Sequence, residues 1–297
     1  MTSRPSPLVR RLAAFAAGVS AGVTTLLAAP ALAAELVGQP TPKAFDMQPS
    51  ASVIRTAQIG FHDHILMPII TAIVLLVLGL LLYIIVRFNK RANPTAARFS
   101  HNTPVEIIWT VVPVLILMII AIFSFRLLFQ EHDMPRPYMT VKVVGRQWNW
   151  DYAYPDQKIA AYTSTPMEQA AADAQHLPYL LAANAPMVVP VNQVVRVEVT
   201  GEDVIHSFSV PAFGIKIDAI PGRLNETWFK ADRQGVFYGQ CSQLCGINHS
   251  FMPIEVHVLS QPEFDAWVAS KAAKPATTTV AAATPPAASA APAAAPQ

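Results

Sequence analysis

Charge is scarce in this chain. Lys, Arg, Asp and Glu make up 13% of its 297 residues, against 53% hydrophobic. Cysteine is scarcer still, with two in the whole chain, so at most one disulfide can form. No internal repeat is visible. From about Pro275 onward only Ala, Pro, Thr, Ser, Val and a terminal Gln remain, a composition that cannot bury a core and predicts a disordered tail over 273–297. The missing charge is not missing evenly. Ile65 to Val86 is 22 residues without a single charge, and Ile107 to Phe125 is another 19. A buried helix of a soluble protein is rarely so long and so apolar on every face. Both stretches are long enough to cross a bilayer, and Arg126 can snorkel near the end of the second.

The loop between these stretches lacks acids. It carries Arg87, Lys90, Arg91 and Arg98 and meets no carboxylate until Glu106. Positive loops stay cytoplasmic, so the two spans form a hairpin over 65–128 with its loop, 87–106, inside. Residues 1–33 read as a secretory signal: Arg4, Arg10 and Arg11, then an apolar run, then Pro30-Ala-Leu-Ala33 as a cleavage site. An uncleaved first membrane helix is the other reading. On both, the segment 34–64 and everything after Leu128 lie outside the cytoplasm, which points to a bacterial periplasm and an inner membrane. The outer region is acidic. From residue 137 to 270 there are 8 Lys and Arg against 13 Asp and Glu, a net of −5, which suits a basic partner better than nucleic acid.

After Pro137 the helical pattern gives way to short alternating segments. The strongest are Tyr138 to Val144 and Val194 to Thr200; others are Trp148 to Tyr154, Pro186 to Val191, His206 to Val210, Glu226 to Lys230, Gly235 to Gly239 and Met252 to Leu259. Proline and glycine between short strands predict a Greek-key sandwich or barrel over 129–272. The Ala-rich stretch Met167 to His176 reads as a short helical excursion or a solvated loop, and Gln261 to Ala272 as a terminal helix. Alternation within Trp148 to Tyr154 would set Trp148 and Trp150 on one face.

The two cysteines sit together in Cys241-Ser-Gln-Leu-Cys245-Gly-Ile-Asn-His249-Ser-Phe-Met252. Thiolate, imidazole and thioether are the ligands soft transition metals prefer, and His with Cys and a weak Met is the copper electron-transfer pattern. Two thiolates this close can bridge two copper ions. The competing reading is a disulfide, common in an oxidising compartment, though it leaves His249 and Met252 without a purpose. A second terminal nitrogen is needed. Of the histidines available, His206 follows the valine-rich strand directly, and a strand end facing a cysteine loop is where a sandwich can supply it.

These segments, with Val105-Glu-Ile-Ile-Trp-Thr, Gly145-Arg-Gln-Trp-Asn-Trp-Asp-Tyr, Asp203-Val-Ile-His-Ser and Asp218-Ala-Ile-Pro-Gly-Arg, make the chain resemble subunit II of the haem–copper cytochrome c oxidases, of the alphaproteobacterial and mitochondrial type, over about residues 50 to 268. The resemblance implies a cupredoxin-like fold with a binuclear CuA centre. Cys241 and Cys245 would bridge the coppers, His206 and His249 would be terminal ligands, Met252 a weak axial one, and the backbone carbonyl of Gln243 the last. The family carries Glu where Gln243 stands, and its carboxylate helps bind magnesium at the boundary with subunit I; a neutral amide should bind magnesium less well.

By the same resemblance Trp148 receives the electron from cytochrome c, and Glu106 stands at the mouth of a proton pathway into subunit I, where oxygen is reduced and protons are pumped. Subunits I and III, cytochrome c and membrane lipid are the implied partners. The chain departs from the family at Arg146, usually His, at Asn149, usually Tyr, and at two docking acids that are here Ala153 and Asn184. Asp203 matches a docking position, with Asp151 and Asp156 as candidates to stand in for the lost pair. Docking weaker than the family's, and falling with salt, is expected. A tethered copper chaperone would normally show one span and a thioredoxin-like pattern. A quinol oxidase subunit lacks the copper ligands, and a nitrous oxide reductase needs a propeller domain for which there is no room.

Overall fold

The computed structural model describes residues 38–41, 46–95 and 97–272. The expected signal segment 1–33 and the expected disordered tail 273–297 lie outside the described residues. Two long helices come first. Helix α1 runs Val53–Arg87 and helix α2 runs Thr103–His132. Both exceed the charge-free stretches that announced them, because their ends are set by capping groups and not by hydropathy. Ser52 opens α1, its side chain accepting from the backbone N–H of Arg55 at 3.0 Å. Asn102 opens α2 by accepting from Val105 N–H, while the Glu106 carboxylate accepts from Asn102 N–H at 3.0 Å. That pair resembles a capping box with its acid one position later, and Pro104 in the first turn lacks only an N–H that had no partner to lose. One turn of α1, His62–Leu66, widens to a π-helix, and Pro113 sits inside α2. The apolar stretches of both helices are exposed along their length, as a lipid-facing pair would be.

The rest is a two-layer all-β domain closed by a helix. One sheet has the order β3-β2-β1-β5-β8 and the other β4-β10-β9-β6-β7. In chain order the strands are β1 Met139–Arg146, β2 Asn149–Tyr154, β3 Ile159–Ser164, β4 Met187–Pro190, β5 Val194–Gly201, β6 His206–Val210, β7 Ile215–Ala219, β8 Asn225–Lys230, β9 Gly235–Cys241 and β10 Pro253–Leu259. A short helix α3, Gln169–Ala174, lies in the excursion between β3 and β4, and helix α4, Gln261–Ala272, follows β10. The expected sandwich is present, and its sheets are mixed: β1 pairs with β5, and β4 with β10, in parallel. Two strands had no clear sequence signal. β3 is Ala-rich and forms an edge, and β7 carries Lys216 and Asp218 among its apolar residues.

The inward faces follow the period-two pattern. Met139, Val141 and Val143 of β1, Val195, Val197 and Val199 of β5, and Ile254, Val256 and Val258 of β10 are all buried. An aromatic group fills the membrane-facing end: Phe213 stacks on Phe229 at 4.4 Å and tilts against Phe237 at 4.8 Å. The same end is tied to the helices. Ser52 Oγ donates to the carbonyl of Phe213 at 2.7 Å, and Gln58 Nε2 donates to both the Gly214 carbonyl and Glu131 Oε1 at 2.8 Å. Trp228 Nε1 donates to the carbonyl of Glu131 at 2.9 Å. Truncating Phe213 to Ala removes the stacked centre of this junction and should cost about 3–5 kcal/mol. A denaturant titration of the detergent-solubilised chain, followed by tryptophan fluorescence, measures the loss.

Candidate metal centre

The site lies where β1, β6 and β9 end together, away from the membrane helices. Strand β9 delivers Cys241, the 3-10 turn His249–Phe251 delivers His249, and Met252 leads into β10. β6 opens on His206, which is fully buried. β6 and β9 are paired at Phe208 and Cys241, so the histidine meets the cysteine loop across one sheet. The sulfurs of Cys241 and Cys245 are 3.8 Å apart, and both cysteines are buried and free. That separation is well beyond a sulfur–sulfur bond of about 2.05 Å, so the disulfide alternative is not the arrangement found.

Around the two sulfurs the other donors converge. One imidazole nitrogen of His206 and both sulfurs lie within 4.8 Å of one another. Cys245 Sγ is 3.5 Å from His249 Nδ1 and 3.5 Å from Met252 Sδ. Cys241 Sγ is 3.2 Å from the backbone oxygen of Gln243, whose side chain is exposed. His206 gives the clearest sign of purpose. Its Nε2 sits 2.9 Å from Asp203 Oδ1, while its Nδ1 is buried with no hydrogen-bond partner. An ionised carboxylate only accepts, so Nε2 carries the proton and Nδ1 presents a lone pair. A buried, unpartnered lone pair costs free energy unless something fills it, and the donor set around it fits a soft metal. The carboxylate behind the imidazole is the usual orienting partner of a metal-binding histidine.

Two titrations are displaced by these contacts. Burial raises the Cys245 thiol, Cys241 beside it adds to the effect, and together they push it up to about 12. Burial also acts to raise Asp203, but the hydrogen bonds from His206, Val204 and Gln147 outweigh it and hold the carboxyl below its ordinary value. Asp203 therefore stays ionised behind His206. This acid, expected from the sequence to face a partner, is exposed while it makes these bonds.

Trp148 is not on β2. It lies with Gln147 in the turn joining β1 to β2, where Arg146 faces Asn149 across the hairpin. The alternation that would put it on one face with Trp150 does not apply, because the strand begins after it. Trp150 is fully buried, donates to the carbonyl of Met252 at 3.2 Å and meets the His206 ring edge-on at 5.9 Å. Trp148 is half-buried, and its Nε1 donates to the carbonyl of Cys245 at 3.2 Å. It rests on Gly246, whose φ of +122° suits glycine and where a Cβ would come within 3.0 Å of the indole. Gly145 makes room in the same way for the His206 ring, also 3.0 Å from a built Cβ.

Sequence reasoning missed Gln147, whose Nε2 donates to the Cys245 carbonyl at 2.9 Å. No pattern announces a contact between residues so far apart in the chain. The other two candidate docking acids differ in burial: Asp151 is buried and Asp156 exposed. Asp151 accepts from Thr163 Oγ1 at 2.6 Å and lies 3.2 Å from Arg146 Nε. Asp156 accepts from Thr140 N–H at 2.7 Å, at the far end of β1. At about 3.4 Å per residue that is roughly 20 Å from the Trp148 turn. Glu106 is farther still. Helical rise puts it about 39 Å from the domain end of α2, across a bilayer's thickness from the sulfurs.

The chain matches two family models: "Cytochrome C oxidase subunit II, transmembrane domain" over residues 40–127, and "Cytochrome C oxidase subunit II, periplasmic domain" over 139–259. It is 46% identical over 272 residues to cytochrome c oxidase subunit 2 of Cereibacter sphaeroides, covering 84% of this chain and 89% of that protein. It is 50% identical over 235 residues to the probable cytochrome c oxidase subunit 2 of Rickettsia bellii, covering 78% and 86%. Among solved structures it is similar to the periplasmic domain of subunit II of cytochrome oxidase of Bradyrhizobium japonicum, with 54% identity, a TM-score of 0.44, and coverage of 47% of this chain and 96% of that one.

The separation of the sulfurs can be checked directly. The whole chain, purified without reductant, stripped of metal and unfolded, should react with thiol reagent at both cysteines, which are free in the fold. No reaction means that they are bonded to each other.

Proposed function

This chain belongs to the cytochrome c oxidase subunit II family, and we propose that it is the subunit through which a membrane haem–copper oxidase takes electrons from cytochrome c. The observation that carries the proposal is the buried imidazole of His206, its Nδ1 unpartnered, gathered with two free thiols, with His249, Met252 and the Gln243 carbonyl beside them. Those residues would hold the copper. Bound there, copper would supply a one-electron relay between the donor and the haem of subunit I.

The chain's own residues give that relay its setting. Asp203 fixes the proton on the far nitrogen of His206 and so keeps the near one available. Gln147 and Trp148 hold the cysteine loop by its Cys245 carbonyl, so the indole that meets solvent is joined to a ligand residue by one hydrogen bond. Trp150 closes the back of the site through the Met252 carbonyl. Water is thereby excluded from both sulfurs, and a rigid, dry donor set keeps reorganisation small when charge changes.

The basic loop orients the hairpin with 88–102 in the cytoplasm and the β-domain outside, in a bacterial inner membrane. Glu106 then sits at the cytoplasmic mouth of α2. Its carboxylate caps the start of its own helix by accepting from Asn102 N–H, and in this reading it also collects protons for a path into subunit I. Subunit III completes the assembly. The exposed amide of Gln243 is a weak magnesium ligand, and no ion is assigned to it.

In the purified oxidase, Cys241→Ser or His249→Ala should abolish the long-wavelength copper absorption and cytochrome c oxidation while the chain still inserts in the membrane. Oxidation that survives in either variant rules out the assignment. Trp148→Ala should keep the copper absorption and slow electron uptake from cytochrome c. Stopped-flow reduction of the copper band separates the two effects.

A further inference from the structure

We propose that the outer end of the membrane hairpin holds one anionic phospholipid, its phosphate on Arg126 and one acyl chain running down between α1 and α2. The inference rests on the reading of these helices as membrane spans and not on the copper assignment.

Both helices contribute a face to a cleft of about 190 Å³. Ala57, Phe61 and Ile65 of α1, with Phe123 and Leu127 of α2, give it apolar walls. Gly60 keeps it open, since a Cβ built there meets nothing within 4 Å. α1 meets α2 chiefly along Val53–Phe61, and from Ile70 to Arg87 every residue of α1 is exposed. The helices therefore part below the cleft, and the space between them opens into the hydrocarbon. Such a space suits an apolar chain and not water.

The charge at the mouth selects the headgroup. Ile107 to Phe125 covers about 28 Å at helical rise, nearly the thickness of a bilayer's hydrocarbon core. Arg126 therefore stands at the level of the outer lipid phosphates. Ile65, where the charge-free stretch of α1 begins, lines the same cleft. Arg126 is exposed and is the one charged residue in the lining. Among the described residues it has no hydrogen bond or ion pair. The acids nearest along the two helices are engaged elsewhere, Asp63 with His62 Nδ1 at 2.7 Å and Glu131 with Gln58 Nε2 at 2.8 Å. Neither lines the cleft. A guanidinium at this depth without a carboxylate is matched by an anion. Phosphate is the anion a membrane supplies there, and it accepts two guanidinium N–H groups at once. Gln130, one turn farther out on the same face, also lines the cleft and offers a donor and an acceptor to headgroup hydroxyls. Phosphatidylglycerol, with hydroxyls and no amine, satisfies both residues; an ethanolamine headgroup would set a second cation beside Arg126.

The test uses the intact oxidase with all subunits, purified in mild detergent from membranes that hold both phosphatidylglycerol and phosphatidylethanolamine. Retained lipid is counted by native mass spectrometry. Arg126→Gln should lose about one phosphatidylglycerol per oxidase and lower the preference for it over phosphatidylethanolamine about fivefold, the weight of one cation beside an anionic headgroup. Arg126→Lys keeps the charge and should retain the lipid. Gly60→Leu fills the cleft with Arg126 in place and should lose the same molecule; the helix tolerates it because the position has room. Copper absorption and cytochrome c oxidation should be unaltered in all three. The lipid count is read without them, so failure of the copper reading leaves this test standing. Phosphatidylglycerol retained in Arg126→Gln or in Gly60→Leu overturns the proposal. Equal loss of both lipids overturns it too, since the site would then be unselective annulus. So does loss of a subunit from Arg126→Gln with its lipid unchanged, because Arg126 would then pair with a carboxylate of that subunit.

Discussion

Two buried sulfurs held 3.8 Å apart without a bond are the arrangement on which the rest of this domain depends. Thiols so close in an oxidising compartment would pair if the loop let them. The loop is held by contacts from other strands. Gln147 and Trp148 take the Cys245 carbonyl, Trp150 takes the Met252 carbonyl, and the β6–β9 pairing fixes Cys241 against Phe208. These anchors come from the β1–β2 hairpin and from β6, on both sheets of the sandwich. The mixed topology thereby brings distant chain segments to one edge.

Much of this was legible in the residues, for identifiable reasons. The helices announced themselves because a bilayer demands long charge-free runs, and such runs have few other uses. Their ends did not, because Ser52 and the Asn102–Glu106 pair act through single hydrogen bonds that hydropathy cannot register. Strongly alternating valine strands such as β5 were found nearly to the residue. The edge strand β3 and the charged β7 were not, since pairing with a neighbour formed them and not their own composition.

The cysteine loop divides along the same line. Cys241, Cys245, His249 and Met252 could be read together because they lie within twelve residues of sequence. His206 needed an argument about strand ends, and it joins them through sheet pairing. The turn that carries Trp148 misled the alternation argument, because periodicity assumes a strand and the strand starts one residue later. The acids were the hardest to read. A list of charges gives net sign, but whether Asp151, Asp156 and Asp203 face a partner depends on Arg146, Thr140 and His206, each placed by the fold. Sequence supplies the inventory of groups near a site; only three-dimensional pairing tells which of them are still free to act.

The junction with the membrane carries the argument one step further. The sandwich is not hung from its helices by a flexible linker. Gln58 bonds at once to Glu131 of α2 and to Gly214 of the domain, Trp228 bonds to the Glu131 carbonyl, and Ser52 caps α1 while gripping Phe213. Three of these bonds, Ser52 to Phe213, Gln58 to Gly214 and Trp228 to Glu131, join helices to domain, and the stack of Phe213, Phe229 and Phe237 stiffens the domain's side of the junction. The height of the thiol pair above the bilayer is therefore a fixed dimension of the fold. The relay proposed for this chain would need that, because its rate would depend on a distance that thermal motion must not stretch. The β-domain is anchored by the helices at one end, as its cysteine loop is anchored by Gln147, Trp148 and Trp150 at the other.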